Sequence, residues 1–144
     1  MSRALFLSIS ITDFLFMTYW LIAGLALFDI FSLPPDLMYG DYTNPRVVAW
    51  NWSFFPLDLI FSIFGYLAIS ASGRGDPIWR QYALISLVLT MTAGGMAVVY
   101  WAILKEFDPA WFIPNSILLI WPLFFIGKLI AGGRDHPTGA VEQT

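Results

Sequence analysis

Four long apolar stretches dominate this sequence and leave few folds open to it. They are separated by short segments rich in Pro, Gly and charged residues, and they cover about residues 4–31, 48–71, 79–104 and 110–131. Each is long enough for a helix to cross a hydrocarbon core of about 30 Å, which needs about 20 residues. The sequence therefore predicts an all-α fold, a four-helix transmembrane bundle over residues 1–132 with a polar tail over residues 133–144.

The composition supports a membrane environment and excludes several classes of function. Of 144 residues, 58% are hydrophobic and only 12% are charged, against about 25% charged in soluble domains. The net charge of −3 and the scattered basic residues give no basic patch for nucleic acid. There is no cysteine, and the single histidine, His136, has no second ligand at metal-site spacing. We therefore expect no metal, no cofactor and no nucleic-acid partner.

The basic residues predict how the chain is oriented in the membrane. Four spans place both termini and the middle loop on one side, where five basic residues collect: Arg3, Arg74, Arg80, Lys128 and Arg134. The other side has two, Arg46 and Lys105. Because cytoplasmic loops carry the excess of Lys and Arg, this bias predicts a multi-pass protein of the cytoplasmic membrane with both termini in the cytoplasm.

Asp58 is the most informative polar residue at membrane depth. An Asp at the centre of a span costs about 2.5 to 3.5 kcal/mol on insertion scales, so its presence needs an explanation. At helical spacing it shares a face with Asn51 and with Phe54 or Phe55. Pro56 removes one backbone hydrogen bond nearby and frees a carbonyl. We expect this face to point into the bundle and Asp58 to be the principal acid of a site.

Two further acids lie in the first span. Asp13 is about nine residues into it, although an alternative is that the span begins near Thr12 and that Asp13 is an N-terminal carboxylate. Asp29 lies one turn before Leu33-Pro34-Pro35, where a carboxylate could simply reach water. Either acid is a candidate catalytic partner of Asp58, and the sequence leaves that choice open.

An acid in an apolar cavity suggests a particular chemistry. Apolar surroundings favour the neutral carboxylic acid, which can donate a proton to an alkene or epoxide, and aromatic faces can stabilise the carbocation that forms. Five aromatic residues are candidates for such a pocket: Trp20, Phe54, Phe55, Tyr100 and Trp101. We therefore predict binding of a hydrophobic lipid, terpenoid or sterol-like ligand, with acid-initiated isomerisation or cyclisation as the reaction if the chain is an enzyme.

Other interpretations of the same residues stay open. Asn51 and Asn115 are candidate ligand-binding residues, but an amide such as Asn115 can also hydrogen-bond to a neighbouring helix. Tyr100 and Trp101 can be interfacial anchors. The chain can also be a structural or accessory subunit, with the small residues around Gly94 docking a partner membrane protein or a second copy. A third interpretation is a proton-coupled transporter that acts as a homodimer.

The second span carries a resemblance to a family. Residues 44–59 read NPRVVAWNWSFFPLDL, and the first span contains Thr12-Asp13 followed by Tyr19-Trp20. With these motifs the chain resembles the YvaD-like group of small bacterial membrane proteins over most of its length. The resemblance implies four spans and no particular activity.

A more distant resemblance is to the EXPERA-type proteins, which include emopamil-binding protein and the sigma-two receptor. It is carried by Asp29 before Leu33-Pro34 and by the second-span acid in Asp58-Leu59-Ile60-Phe61. The resemblance implies that Asp29 and Asp58, with Asn115, line an intramembrane pocket for sterols and cationic amphiphiles. In the isomerase of that family such acids move a proton around a sterol double bond. This chain lacks an intramembrane histidine and so departs from the isomerase pattern.

Overall fold

The computed structural model describes residues 1–28, 30, 34 and 39–133. That part of the chain contains helices and no strand: α1 (Arg3–Leu27), α2 (Pro45–Trp52), α3 (Phe55–Gly73), α4 (Trp79–Leu104) and α5 (Pro109–Gly133). With α2 and α3 taken together, four segments are long and apolar enough to cross a membrane. The predicted all-α, four-span fold is confirmed, and the chain is a multi-pass membrane protein.

The first helix begins well before Thr12. The Ser2 hydroxyl caps α1 by accepting a hydrogen bond from the Leu5 N–H at 3.3 Å, which satisfies one of the free donors at a helix start. Asp13 therefore lies in the interior of the helix, where every backbone N–H has a partner one turn back. The alternative that Asp13 is an N-terminal carboxylate is wrong.

The second span is broken, whereas the sequence predicted one continuous helix. α2 ends at Trp52 and α3 begins at Phe55, because Pro56 has no N–H to donate to the carbonyl of Trp52. The break gives α3 its own N-terminus inside the span, with Asp58 in its first turn. The Asp58 N–H still donates to the Phe54 carbonyl at 2.8 Å, and its carboxyl accepts no backbone N–H. The break therefore changes the local helix geometry without capping Asp58.

The helices pack in the order α1, α3, α4, α5. Within the described residues the extended contacts are those of α1 with α3, α3 with α4, and α4 with α5. α1 and α5 are the least buried of the four spans and stand at the two ends of this row. The arrangement leaves a gap between α1 and α5 that α4 closes from behind.

Gly94 allows the closest approach between α4 and α5. A Cβ atom at Gly94 would lie 2.7 Å from both the Asn115 backbone oxygen and the Leu119 backbone nitrogen. At Gly95 the nearest atom would be the end of the Leu119 side chain, at 3.3 Å. The small-residue surface predicted on the third span therefore receives α5 of the same chain at Gly94.

One end of the bundle is closed by a core to which all four spans contribute. Its buried residues are Leu5, Ile9, Ala68, Ala83 and Leu87. Trp121 and Phe125 of α5 pack against it. The Met1 amino group donates to the Ser72 hydroxyl at 3.1 Å, and Arg80 Nη1 donates to the Gly132 carbonyl at 3.0 Å. We call this the terminal end, and the opposite end, where α2 and α5 begin, the distal end.

Candidate functional site

A cavity of about 630 Å³ occupies the gap between α1 and α5. Trp121, which also packs on the core of the terminal end, contributes to its lining there. The small side chains of Ala93 and Ala97 on α4 line its back. Helices α1 and α5 provide the two sides, and Tyr39 and Trp50 lie at the distal end. The cavity exists because α1 and α5 lie apart at the level of Ala93 and Ala97, and these two α4 side chains are too small to fill the space.

The cavity opens sideways, towards the surface that faces lipid. Ile11 and Leu15 of α1 and Ile117 of α5 line it, yet their side chains are 57%, 59% and 56% exposed. A residue that lines a cavity and is also exposed on the outer face marks the edge of an opening. The cleft between α1 and α5 therefore connects the cavity to the bilayer.

Asp58 is the buried polar centre of the site. Its side chain is 2% exposed and borders the cavity. Oδ2 accepts a hydrogen bond from the Trp20 indole N–H at 2.9 Å, while Oδ1 is buried with no partner. Leaving a buried acceptor unpaired costs about 1 to 3 kcal/mol. The first turn of α3 and the Trp20 indole place this carboxyl, and one of its two oxygens makes no hydrogen bond.

The distal end of the cavity is formed by aromatic side chains. The Tyr19 hydroxyl donates to Asn51 Oδ1 at 3.0 Å, which ties α1 to α2. Trp111 packs edge-on against Tyr19 and Tyr39, with ring centroids 6.2 and 5.8 Å away. Burial raises the pKa of the Tyr39 phenol above its ordinary value, so this side chain stays a neutral donor. These contacts hold α1, α2 and α5 together around the cavity.

The structure brings six of the predicted site residues together on the cavity. They are Trp20, Asn51, Phe54, Asp58, Trp101 and Asn115. The Asn115 side-chain amide donates to the Trp111 carbonyl of its own helix at 2.7 Å, and not to another helix. This bond uses one of the two N–H groups of the amide.

Two predicted aromatic residues lie outside the cavity lining. Phe55 is 37% exposed and packs edge-on against Trp20 at 5.2 Å. Tyr100 stacks on Trp50 at 3.8 Å and so supports the lining from behind. The predicted catalytic residue Asp29 lies outside the described residues.

Asp13 faces a different surface from the cavity. Its carboxyl packs against Gly65 of α3, in the space that a Cβ atom of Gly65 would occupy. The Ser62 hydroxyl lies beside it but is buried with no hydrogen-bond partner. Asp13 and Asp58 thus share the interface between α1 and α3, and of the two only Asp58 borders the cavity.

Several lining residues were not among the predicted site residues. They include Thr12, Tyr19, Ala93, Ala97, Trp111 and Trp121. A signal was available for Trp111, which shares a helical face with Asn115 at a spacing of four residues. The two alanines gave no such signal, because a small residue on a span is equally suited to helix packing.

The described residues that line the cavity include one acidic side chain and no basic side chain. Among the described residues that border the cavity, Asp58 is the one Asp or Glu, and none is Lys, Arg or His. The rest are apolar, aromatic or neutral polar side chains. The cavity therefore presents one carboxyl to an otherwise uncharged interior.

Comparison with known proteins places the chain in a family. A model of a family of unknown function, DUF5360, matches residues 4–136. The chain belongs to the DUF5360 family. It is also 40% identical over 124 residues to the "Uncharacterized protein YvaD" of Bacillus subtilis, covering 86% of this chain and 90% of that protein. The resemblance to the YvaD-like group is thereby confirmed. No solved structure matches the chain.

Proposed function

We propose that this protein binds a lipid- or terpenoid-like hydrophobic molecule within the membrane, in the cavity between α1 and α5. The observation that carries the proposal is a mostly apolar cavity that opens towards lipid and has one carboxyl, that of the buried Asp58, among its described lining residues. Ligand sites are mostly apolar, measure about 300 to 1,000 Å³ and contain a few fixed polar groups. The cavity matches this description in size, in lining and in its single anchoring carboxyl.

Catalysis is a narrower proposal that rests on the same carboxyl. Acid-initiated isomerisation or cyclisation would use Asp58 as the proton donor, with the faces of Trp20, Phe54 and Trp101 close to the developing cation. Asp13 does not border the cavity, so it can assist only through the interface between α1 and α3. Binding is therefore better supported than turnover.

The remaining interpretations stay predictions. These are an accessory subunit of a membrane complex, a proton-coupled transporter that acts as a homodimer, and the distant relationship to the EXPERA-type proteins. Of these, the accessory subunit leaves the buried Asp58 carboxyl without a specific role.

Photolabelling tests the binding proposal. A long-chain alcohol carrying a diazirine, added to the protein in lipid nanodiscs, should label lining residues such as Thr12 and Asn115. An excess of the unlabelled alcohol should suppress that labelling, because a cavity has a limited capacity. Phe14 and Ile103, which are 70% and 74% exposed, provide the control, since their labelling should not saturate. Non-saturable labelling at every position would rule out a site.

We further propose that the protein lies in the cytoplasmic membrane with both termini in the cytoplasm. The support is the count of basic residues in the sequence, five on the side predicted for the termini and the middle loop against two on the other side. Because the chain has no cysteine, single-cysteine variants report on each end without background. Glu106→Cys should react with a membrane-impermeant maleimide in intact cells, and Pro77→Cys only after permeabilisation. The reverse pattern would overturn the orientation.

A further inference from the structure

We infer that Asp13, Ser62 and Asp58 form a proton-transfer site in the interface between α1 and α3, in which the two carboxyls share one proton through the Ser62 hydroxyl. Of the three residues only Asp58 borders the cavity. Ligand binding therefore leaves Asp13 and Ser62 without a role, although polar groups at membrane depth are costly and commonly functional. The inference goes beyond the proposed function and does not depend on it.

The Ser62 hydroxyl is not used by its own helix. Its side chain is 7% exposed, and its Oγ has no hydrogen-bond partner among the described residues. A hydroxyl in an apolar helix can donate to the carbonyl one turn back, as those of Thr90 and Ser116 do at 2.9 and 2.8 Å. Ser62 makes no such bond, and the Asp13 carboxyl of α1 lies beside its hydroxyl. The hydroxyl is therefore available to the carboxyls at the interface.

Ser62 lies between the two acids along the interface. Asp58 precedes it by one turn of α3, and because helical side chains lean towards the N-terminus of their helix, that of Ser62 leans towards Asp58. Residues four apart have Cβ atoms about 5 to 6 Å from each other, which is within the combined reach of a hydroxyl and a carboxyl. On the other side, the Asp13 carboxyl packs against Gly65, almost one turn after Ser62. One hydroxyl can therefore serve both carboxyls.

The space at this interface suits a proton and nothing larger. Asp58 Oδ1 and Ser62 Oγ have almost no accessible surface, and neither has a partner among the described residues. A water molecule or a metal ion at either atom would require the helices to move apart. A proton adds no volume, and one held by Asp58 Oδ1 gives that oxygen a hydrogen bond to donate to Ser62.

The neighbouring helices offer no cation to this interface. Asp13 and Asp58 are the only acidic residues within α1 and α3, and α4 has none. The basic residues of α1, α3 and α4 are Arg3 and Arg80, which both lie in the first turn of their helices. Two ionised carboxyls would therefore repel each other without a counter-charge. One shared proton reduces the pair to a single negative charge.

The proton moves through the site in two linked transfers. With the proton on Asp58 Oδ1, that oxygen donates to Ser62 Oγ, and the Ser62 hydroxyl donates to the Asp13 carboxylate. Transfer breaks the Asp58 O–H bond and forms a new Ser62 O–H bond, while the original Ser62 proton passes to Asp13. Asp58 ends as the carboxylate and Asp13 as the acid, so the net charge of the site is unchanged. The charge of Asp58 can thus change without a proton crossing the cavity.

Carbon-13 NMR of the protein in detergent micelles, labelled at the aspartate Cγ atoms, tests the inference by pH titration. Asp13→Asn and Asp58→Asn identify the two resonances. In the wild type each resonance should move in two steps more than about 1 pH unit apart, because two strongly interacting groups titrate as a pair. In either variant the remaining acid should titrate in one step that lies between the two. Asp108, which is exposed, should titrate in one step in every protein.

Ser62→Ala tests the bridge, and its matched control is Ser116→Ala, which removes a hydroxyl that bonds to the Phe112 carbonyl. The two steps should move closer together in Ser62→Ala and stay in place in Ser116→Ala. One independent step at each acid in the wild type would overturn the inference, and so would wild-type titration of a folded Ser62→Ala protein. If an Asn variant does not fold, Asp13→Glu and Asp58→Glu identify the resonances instead. No ligand is added, so these outcomes leave the binding proposal unchanged.

Discussion

Replacing Asp58 with Asn is expected to weaken ligand binding by about 10- to 100-fold and to abolish any turnover. Asn has nearly the same shape and keeps an oxygen that can accept the Trp20 indole N–H, so the helices should assemble as before. What is lost is the carboxyl at the cavity, and a hydrogen bond to a charged group contributes about 1.5 to 3 kcal/mol. Titration with a brominated C16 alcohol, whose bromine quenches the fluorescence of the tryptophans that line the cavity, measures the loss, and circular dichroism checks that the helices persist.

Asp13→Asn is the matched control for this experiment. Asp13 is an acid in a membrane span that packs against α3 and does not border the cavity. Its substitution should change the thermal stability and leave the affinity within about twofold of wild type, because Asp13 does not line the space that the ligand occupies. Unaltered binding in Asp58→Asn would refute the role of Asp58. An equal loss in both variants would show that the two acids act as one unit.

Filling the cavity should have an effect as large as removing the acid. Ala97 is 5% exposed and forms part of the back of the cavity. Because Ala97 lines the cavity, the ring in Ala97→Phe is expected to occupy part of its volume. We expect binding to be lost and the melting temperature to be equal or higher, since filling a cavity adds packing contacts. Ligand titration and thermal unfolding of the purified protein measure the two effects.

Ala102→Phe is the control for the cavity-filling variant. Ala102 lies on the same helix and is exposed, so the same substitution there should leave binding unchanged. If Ala97→Phe binds ligand as wild type does while remaining folded, the ligand is bound somewhere other than this cavity.

Hydropathy was enough to predict the spans, because a helix without water must be apolar over the full hydrocarbon thickness. Helical spacing was enough to predict that Asn51, Asp58 and either Phe54 or Phe55 share a face, and Asn51, Phe54 and Asp58 border the cavity. These features depend on local sequence alone. The spans and this shared face can therefore be predicted before the packing of the helices is known.

The helix order and the location of the cavity could not be predicted in the same way. Lipid tails are as apolar as the side chains, so hydrophobicity does not determine which helices become neighbours. That choice depends on details such as the close approach at Gly94. For the same reason the sequence could not show that Asp13 faces Gly65 while Asp58 faces the cavity. Hydropathy also does not predict the break before Phe55, because the break follows from the backbone hydrogen bond that Pro56 cannot make.

Native mass spectrometry of gently purified protein tests the central claim most directly. The wild-type chain should carry a lipophilic small molecule in a one-to-one ratio, and Ala97→Phe, purified in the same way, should carry none. An empty wild-type protein that copurifies with a stoichiometric partner protein would contradict this account and favour an accessory subunit. Equal amounts of bound molecule in the two proteins would contradict the location of the site between α1 and α5.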